Sequence, residues 1–469
     1  MAAGSALART TVILLSISLG LACGGPPASV PRHVVFLSMD TTRADHLGFL
    51  GNDRVATPRL DALAAEAIAF TDYANVAPTT LVSHTSLFTG KYPHHHGTPR
   101  NGFVVNPDNE MLPEILKAAG FRTAGFAASF ALAGRFDFAQ GFEHYDESFD
   151  VLVDGAEVDQ NQRSAAAVAD AVIRHLDDRG IPERLFLFAH FFDPHRPYAA
   201  PPAMATRYDP LGREGLPSIP DLFRGEWTPA ERAGHARRHT LQYAAEISYM
   251  DSQIGRLLDA LDERGILDDA IVVVTNDHGE SFWEHGEHFN HGLTVYQPTI
   301  RGVWLLRLPG GQRGGERDGR PVSTIDVLPT VLDLLRLPIP GAVDGRPVLT
   351  SDVPRDRLRF GQATQPWESV ETDPRWRNMT KARFVREGRY KLIQTPYLGT
   401  TELYDLDADP AETVNLLLGH LDPATRALAE RLRAELEAWA YSARPLPSDF
   451  EPVHRQETID RLRSLGYVQ

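Results

Sequence analysis

The sequence predicts an α/β protein: a doubly wound, mainly parallel central sheet flanked by helices, followed by a small C-terminal α+β subdomain. Three observations carry this expectation. Val34-Val35-Phe36-Leu37, Leu185-Phe186-Leu187-Phe188 and Ile271-Val272-Val273-Val274 are continuous apolar runs, the pattern of strands buried on both faces. Amphipathic helical stretches lie between them, so strand and helix alternate. Each run also stops abruptly in acidic or histidine residues, and open α/β sheets collect their ligands just beyond the carboxyl ends of the strands.

Taken in order, the chain opens with Arg9 and an apolar run from Val12 to Ala22. The run is too short to span a bilayer, which takes about 20 residues, and reads as an export signal over residues 1–22. The lone Cys23 follows small residues, an order that resembles a bacterial lipoprotein signal. The expected location is therefore the cell envelope, periplasmic or at the cell surface, with membrane attachment only through an N-terminal lipid. Residues 23–31 form a Pro-containing linker. The main domain is expected over 32–350. Its first helix starts at Thr57-Pro58, with Pro at the first helical position, and carries Leu60, Leu63, Ala64, Ala67 and Ile68 on its apolar face. A longer helix carries Ile247, Met250, Ile254, Leu257, Leu258 and Leu261. A third carries Ile325, Leu328, Leu332 and Leu335. Gly310 to Gly319 reads as a surface loop. The subdomain over 351–469 should contain a tight hairpin formed by Phe384-Val385 and Tyr390 to Ile393, a third strand at Glu402 to Leu406, and a helix from Asp422-Pro423 to about Trp439.

Composition narrows the function. Lys and Arg total 47 against 62 Asp and Glu, giving a net charge of −15. That balance excludes the basic footprint of a nucleic-acid binder and suits a protein that holds multivalent cations in carboxylate sites. A single Cys excludes an internal disulfide framework and any cysteine metal cluster.

The strand ends should gather Asp40, Asp193, His195, Asp277 and His278 in one crevice. Hard divalent cations want carboxylate oxygens, and an imidazole extends the choice toward Zn or Mn. Gly279 is expected to allow a sharp turn after Asp277-His278. Pro78 to His84 is rich in hydroxyls. A Thr beside a metal can serve as a nucleophile, although spacing alone favours Thr79 and Thr80 as helix caps. His278, His285, His288 and His291 crowd together as possible ligands or proton carriers, whereas His94, His95 and His96 read as a solvated loop.

These segments resemble the sulfatase family of the alkaline phosphatase superfamily. Asp40-Thr41-Thr42-Arg43 is similar to the family's first metal-binding stretch. Thr80 to His84 with Thr89-Gly90-Lys91 is similar to its nucleophile helix, Asp193-Pro194-His195-Arg196-Pro197 to its substrate-histidine segment, and Asn276-Asp277-His278-Gly279-Glu280 to its second metal stretch. Asp326 to Thr330, Glu402 to Leu406 and Leu462 to Tyr467 follow in family order. The resemblance implies hydrolysis of sulfate or phosphate esters on a sulfated or phosphorylated glycan or small ester. It implies a divalent cation, foremost Ca²⁺, held by Asp40, Asp277 and His278. His84, His195 and His291 would bind the anion or protonate the leaving oxygen. The departures are equally informative. The formylglycine position, counted back from Thr89-Gly90-Lys91, is Thr80, and Cys23 is in the signal region. Thr41 replaces a second Asp, Val82 and His84 replace Pro and Arg, and no Gly-Lys-x-His segment stands near Gly125 to Ala128. A Thr nucleophile resembles the superfamily's phosphodiesterases and phosphoethanolamine transferases, which leaves an envelope transferase or a non-catalytic binding lipoprotein as alternatives.

Overall fold

The computed structural model describes residues 1, 30–149, 161–367, 369–465 and 467. The expected export signal, including Arg9 and Cys23, lies outside the described residues. Pro31–Gln469 forms one compact unit. No helix among the described residues is long and apolar enough to cross a membrane.

The main sheet has eight strands, in the spatial order His144–Asp146, Arg122–Phe126, Leu185–Phe191, His33–Met39, Ala270–Asn276, Trp304–Arg307, Ile68–Phe70 and Arg317–Asp318. The three continuous apolar runs are its centre. His33–Met39 pairs in parallel with Leu185–Phe191 on one side and Ala270–Asn276 on the other. Every residue of these three strands is buried, which explains why their sequences do not alternate. Met39 is in register with both Phe191 and Asn276, so Asp40 and Asp277 leave the sheet side by side. Trp304–Arg307 turns antiparallel to Ala270–Asn276, and Ile68–Phe70 antiparallel to it in turn. The sheet is thus mainly parallel with one mixed edge.

Helix boundaries correct the sequence reading in places. The first helix is Pro58–Ala65, and Ile68 begins a strand instead of continuing its apolar face. The long helix runs Pro229–Glu263 and starts with a Thr228/Glu231 capping box. Within the glycine patch, Arg317–Asp318 forms a short edge strand. His94 and His96 are buried in the turn Pro93–His96, and the ring of His95 meets Asp344, so this run is no solvated loop.

A second sheet, Arg359–Gln362, Arg383–Glu387, Tyr390–Thr395 and Thr400–Asp405, is antiparallel throughout. Its first strand was not anticipated. The helix Pro423–Tyr441, capped by Asp422, packs Leu432, Leu436 and Trp439 against Val385, Leu392 and Leu403. Val76, Tyr92 and Ile325 join the same cluster, so the two sheets share apolar core. A buried guanidinium fork reinforces the junction: Arg359 donates to both carboxylate oxygens of Asp72 at 2.8 and 2.9 Å. The last helix, Arg455–Ser464, packs beside the turn Phe130–Leu132, where Arg461 lies over the ring of Phe130.

Candidate active site

Thr80–Thr89 is a helix whose every residue is buried despite its hydroxyls. Each hydroxyl finds a local acceptor or donor. Thr85 and Thr89 donate to the carbonyls of Leu81 and Thr85, and Ser86 Oγ meets His96 Nε2. Ser83 Oγ donates at 2.6 Å to the carbonyl of Asp277, which fixes the helix start against the end of the strand Ala270–Asn276. Gly90 closes the helix in the left-handed region at φ 65°.

Position separates the two hydroxyls. Thr79 is the N-cap residue, yet its side chain does not cap the helix and donates to the carbonyl of Pro78 instead. Thr80 is the first helical residue. Its Oγ1 donates to Asp40 Oδ2 at 3.3 Å and lies 3.0 Å from the hydroxyl of Tyr467.

Each of the two site carboxylates has one oxygen tied down and one without a partner. Asp40 Oδ2 accepts from Thr80 and from His190 Nε2 at 3.2 Å, while Oδ1 has no partner. Asp277 Oδ1 accepts the backbone N–H groups of His278 at 2.7 Å and Thr41 at 3.2 Å, while Oδ2 has none. Thr41 adopts a positive φ of 46° to place that N–H. Burial raises both carboxyls well above the usual carboxylate range. Asp40 is further raised by Glu280 against the hydrogen bond from Thr80, and Asp277 by Asp40. His278 donates through Nδ1 to the carbonyl of Gly279 at 2.9 Å, which leaves Nε2 as an acceptor with no partner, 3.4 Å from Asp277 Oδ2. Burial lowers its pKa well below the ordinary imidazole value and keeps it neutral. Gly279 serves by its lack of a side chain more than by its turn: a Cβ there would stand 2.0 Å from the carbonyl oxygen of Pro298.

This donor set fits a divalent cation. Ligand atoms of Asp40, Asp277 and His278 lie within 4.8 Å of one another. The orphaned atoms are two carboxylate oxygens and an imidazole lone pair whose other nitrogen is held by a backbone carbonyl, the usual outer partner of a metal-bound His. His84, His190 and Asp277 are equally close together, but the ring nitrogens are committed. His84 Nδ1 donates to the carbonyl of Thr80 at 2.7 Å and Nε2 meets Ser38 Oγ at 2.7 Å. His190 Nδ1 accepts from the N–H of Ala128, so Nε2 carries the proton toward Asp40.

His195 and His291 gather around Tyr467, beside His278. Their rings are 5.3 Å apart, each about 5.5 Å from the ring of Tyr467, and His291 lies 4.3 Å from His278. Nε2 of both is buried without a partner. His195 Nδ1 donates to the carbonyl of Arg196, and His291 Nδ1 meets Glu280 Oε1 at 3.1 Å. Burial raises Glu280 to about 8 and lowers His291 to about 3. Tyr198 donates to the second oxygen of Glu280.

The structure therefore brings together Asp40, Thr80, His195, Asp277, His278 and His291, with His84 beneath them and engaged at both nitrogens. Asp193 is not among them. Its Oδ2 accepts the N–H of Ala165 at 2.8 Å, and it borders a side cavity of about 360 Å³ with His195, Glu246 and Tyr249. His285 stacks on Tyr296 and His288 on Trp283, away from the group. Sequence reasoning passed over Ser38, His190, Glu280 and Tyr467 as site residues. Ser38 and His190 were detectable as polar residues interrupting apolar strands at mutually paired positions. Tyr467 stood in the sequence only as the end of the stretch Leu462 to Tyr467, with nothing local that ties it to Thr80.

Comparison with known proteins gives the following. The sulfatase family model matches residues 32–337, and a model of the N-sulphoglucosamine sulphohydrolase C-terminal region matches 284–441. The ulvan-active sulfatase of Formosa agariphila is 26% identical over 409 residues, which cover 82% of this chain and 77% of that protein. A structure solved in complex with its substrate D-glucosamine-2-N,6-O-disulfate superposes with a TM-score of 0.72 at 20% identity, covering 91% of this chain and 100% of the other. The phosphonate monoester hydrolase from Silicibacter pomeroyi superposes at 0.66 with 22% identity, covering 88% and 96%.

Proposed function

This chain belongs to the sulfatase family and is a hydrolase of sulfuric or phosphoric esters; on that premise we propose that Thr80 is its nucleophile and that Asp40, Asp277 and His278 hold a divalent cation, Ca²⁺ foremost, with Mn²⁺ or Zn²⁺ admitted by the imidazole. The observation that carries this reading is the placement of Thr80 Oγ1 against Asp40 Oδ2, among buried carboxylate and imidazole atoms that have no other partner. A cation bound there supplies positive charge to the nonbridging oxygens of the ester and favours ionisation of the attacking hydroxyl.

The remaining chemistry is assigned to the chain's own groups. Asp40 Oδ2 takes the proton of Thr80 as Oγ1 attacks sulfur or phosphorus, and Tyr467 holds Oγ1 in line through its hydroxyl. The bond from the central atom to the leaving oxygen breaks, and that oxygen takes the Nε2 proton of His291 as Nδ1 receives the proton that burial keeps on Glu280. Glu280 at Nδ1 fixes the ring and supports the charge change. His195, whose proton is held at Nδ1 by the carbonyl of Arg196, accepts a hydrogen bond at Nε2 from the departing alcohol. Water then attacks the same central atom and gives a proton to Nε2 of His291, which hands its Nδ1 proton back to Glu280, while the bond to Thr80 breaks and Oγ1 recovers its proton from Asp40. His84, bonded to the carbonyl of Thr80 and to Ser38, acts as a positioning residue for the helix start.

An unmodified Thr has no second hydroxyl, so the covalent ester on Thr80 must be displaced at the central atom and not expelled from carbon. Metal-assisted attack of this kind suits phosphorus. Initial rates on matched nitrophenyl sulfate, phosphate monoester and phosphodiester, with Ca²⁺, Mn²⁺ or Zn²⁺ supplied, should favour a phosphorus ester. A faster sulfate ester would reverse that preference, and turnover of none of them under every metal would sink the nucleophile assignment.

Export is proposed from the N-terminal sequence alone. Mass spectrometry of the protein from its native host should find a mature chain beginning at a lipidated Cys23. A mature chain starting elsewhere without lipid would reduce the reading to simple secretion.

A further inference from the structure

One face of the helix Thr80–Thr89 packs on the central strands in steps of four residues, the spacing that keeps side chains on the same face of a helix. Phe88 meets the rings of Phe36, Phe186 and Phe188 at 5.9, 6.1 and 5.0 Å. One turn earlier, His84 meets Ser38 Oγ at 2.7 Å and the ring of His190 at 5.0 Å. One turn earlier again, Thr80 meets Asp40. The strands supply these partners with period two: Phe36, Ser38 and then Asp40 along one, Phe186, Phe188 and His190 along its parallel neighbour.

After Phe186 and Phe188, the alternation on that face asks for a third apolar residue at position 190. His190 stands there instead, at 0% exposure. A buried imidazole costs free energy unless hydrogen bonds replace its water. Both of its nitrogens are engaged: Nδ1 accepts the N–H of Ala128 at 3.4 Å, and Nε2 donates to Asp40 Oδ2 at 3.2 Å. The first bond fixes the tautomer, because a ring nitrogen that accepts carries no proton. A phenylalanine at 190 would extend the aromatic row and need neither bond. The carboxylate that His190 addresses is divided between two tasks. Oδ2 also accepts from Thr80 Oγ1 at 3.3 Å, whereas Oδ1 has no hydrogen-bond partner among the described residues. Without the N–H of His190, Asp40 would be free to turn both oxygens toward a cation, and Thr80 would lose its acceptor.

We propose that His190 is a positioning residue for proton transfer from the nucleophile: by donating from Nε2 it holds Asp40 Oδ2 against Thr80 and leaves Oδ1 to the cation. The inference rests on the reading of Thr80 as nucleophile and deepens it. As Thr80 attacks, the Oγ1–H bond breaks and an Oδ2–H bond forms at the second lone pair of Oδ2, while His190 keeps its own proton. The ring does not touch the ester, so its effect falls on kcat and leaves metal binding in place.

Two amides test the assignment, because the side-chain nitrogen of Gln reaches the position of Nε2 and that of Asn only the position of Nδ1. His190→Asn should lower kcat about 10²-fold, the loss that follows a misplaced reacting group, with KM and metal affinity within about two-fold of the wild type. His190→Gln should stay within about ten-fold of the wild type, because it returns the donor. His190→Leu is a second donor-free variant should Asn fail to fold, with folding followed by thermal midpoint. A merely structural role would lower kcat, metal affinity and midpoint together and treat Asn and Gln alike. The contact also has a readout that needs no turnover. In protein labelled with ¹⁵N-histidine, the resonances lost in His190→Gln should report a neutral ring protonated at Nε2, and that proton should move upfield in Asp40→Asn. An Nδ1–H tautomer, a resonance indifferent to Asp40→Asn, a kcat near that of the wild type in His190→Asn, or equal losses in Asn and Gln would each overturn the proposal. A wild type that turns over no ester would count against Thr80, and the resonance would still decide whether His190 holds Asp40.

Discussion

Thr80→Ala abolishes turnover, by a factor of about 10³ or more if nucleophilic catalysis is lost, while the protein still folds and still binds its metal. The argument is geometric. Thr80 Oγ1 is the hydroxyl that meets Asp40, and among the described residues its other hydrogen-bond partner is the hydroxyl of Tyr467. Alanine removes that oxygen and keeps the backbone of the helix start, where Ser83 still donates to the carbonyl of Asp277 and Leu81 still donates to Asn101. None of the proposed metal ligands is altered. Thr80→Ser should retain measurable activity because it returns the oxygen to the same place, whereas a purely structural role would let Ala and Ser behave alike. The check is the steady-state rate of both variants on the ester the wild type cleaves best, beside their metal content. Near-normal turnover in Thr80→Ala would place the nucleophile elsewhere and return Thr80 to the first turn of a buried helix.

The parts of the fold that could be read from the sequence are those whose burial is complete. Val34 to Leu37 and Ile271 to Val274 show no alternation because both faces are covered, and their abrupt ends put Asp40 and Asp277 together without any knowledge of what lies between. What failed was whatever depends on a distant partner. Arg359–Gln362 carries Arg, Gly and Gln in four residues and reads as loop, yet Arg359 is buried because Asp72 answers it. His94 and His96 look solvated until the ring of Trp439 packs against His94 and Ser86 meets His96. Asp193 was expected in the crevice with Asp40 and Asp277 because it follows an apolar strand; it instead accepts the N–H of Ala165 at the start of the helix Ala165–Arg179. Tyr467 shows the limit most plainly. It reaches Thr80 across 387 positions of sequence, and only the path of the last helix brings it there. Choosing between Thr79 and Thr80 was a matter of one residue of helix phase, which periodicity does not resolve.

Asp277→Asn should eliminate specific metal binding and with it nearly all activity, and should leave the fold at least as stable as the metal-free wild type. The substitution keeps the shape. Its oxygen can still accept the N–H groups of His278 and Thr41, as Oδ1 does now at 2.7 and 3.2 Å. What changes is the atom facing His278 Nε2, where an oxygen without a partner becomes an amide nitrogen without a lone pair to give a cation. Stability follows from the sign of the carboxyl shifts. Asp40 and Asp277 are both raised above the ordinary carboxyl value of 3.8, mainly by burial and then by neighbouring carboxylates. A raised carboxyl binds more protons folded than unfolded, so the metal-free wild type loses stability as pH rises above about 3.8 toward the folded pKa, and the loss is in force wherever both groups must ionise. Asn removes one of the two charges and therefore part of that loss. A divalent cation removes it in the wild type by binding the folded state, worth about 2.7 kcal/mol at a hundred-fold excess over Kd. Thermal midpoints at neutral pH should accordingly rise with added Ca²⁺, Mn²⁺ or Zn²⁺ in the wild type and stay flat in Asp277→Asn, whose midpoint without metal lies at or above that of the metal-free wild type. Metal content equal to that of the wild type in the variant, or an equal rise in both midpoints, would show that the cation sits elsewhere than between Asp40, Asp277 and His278.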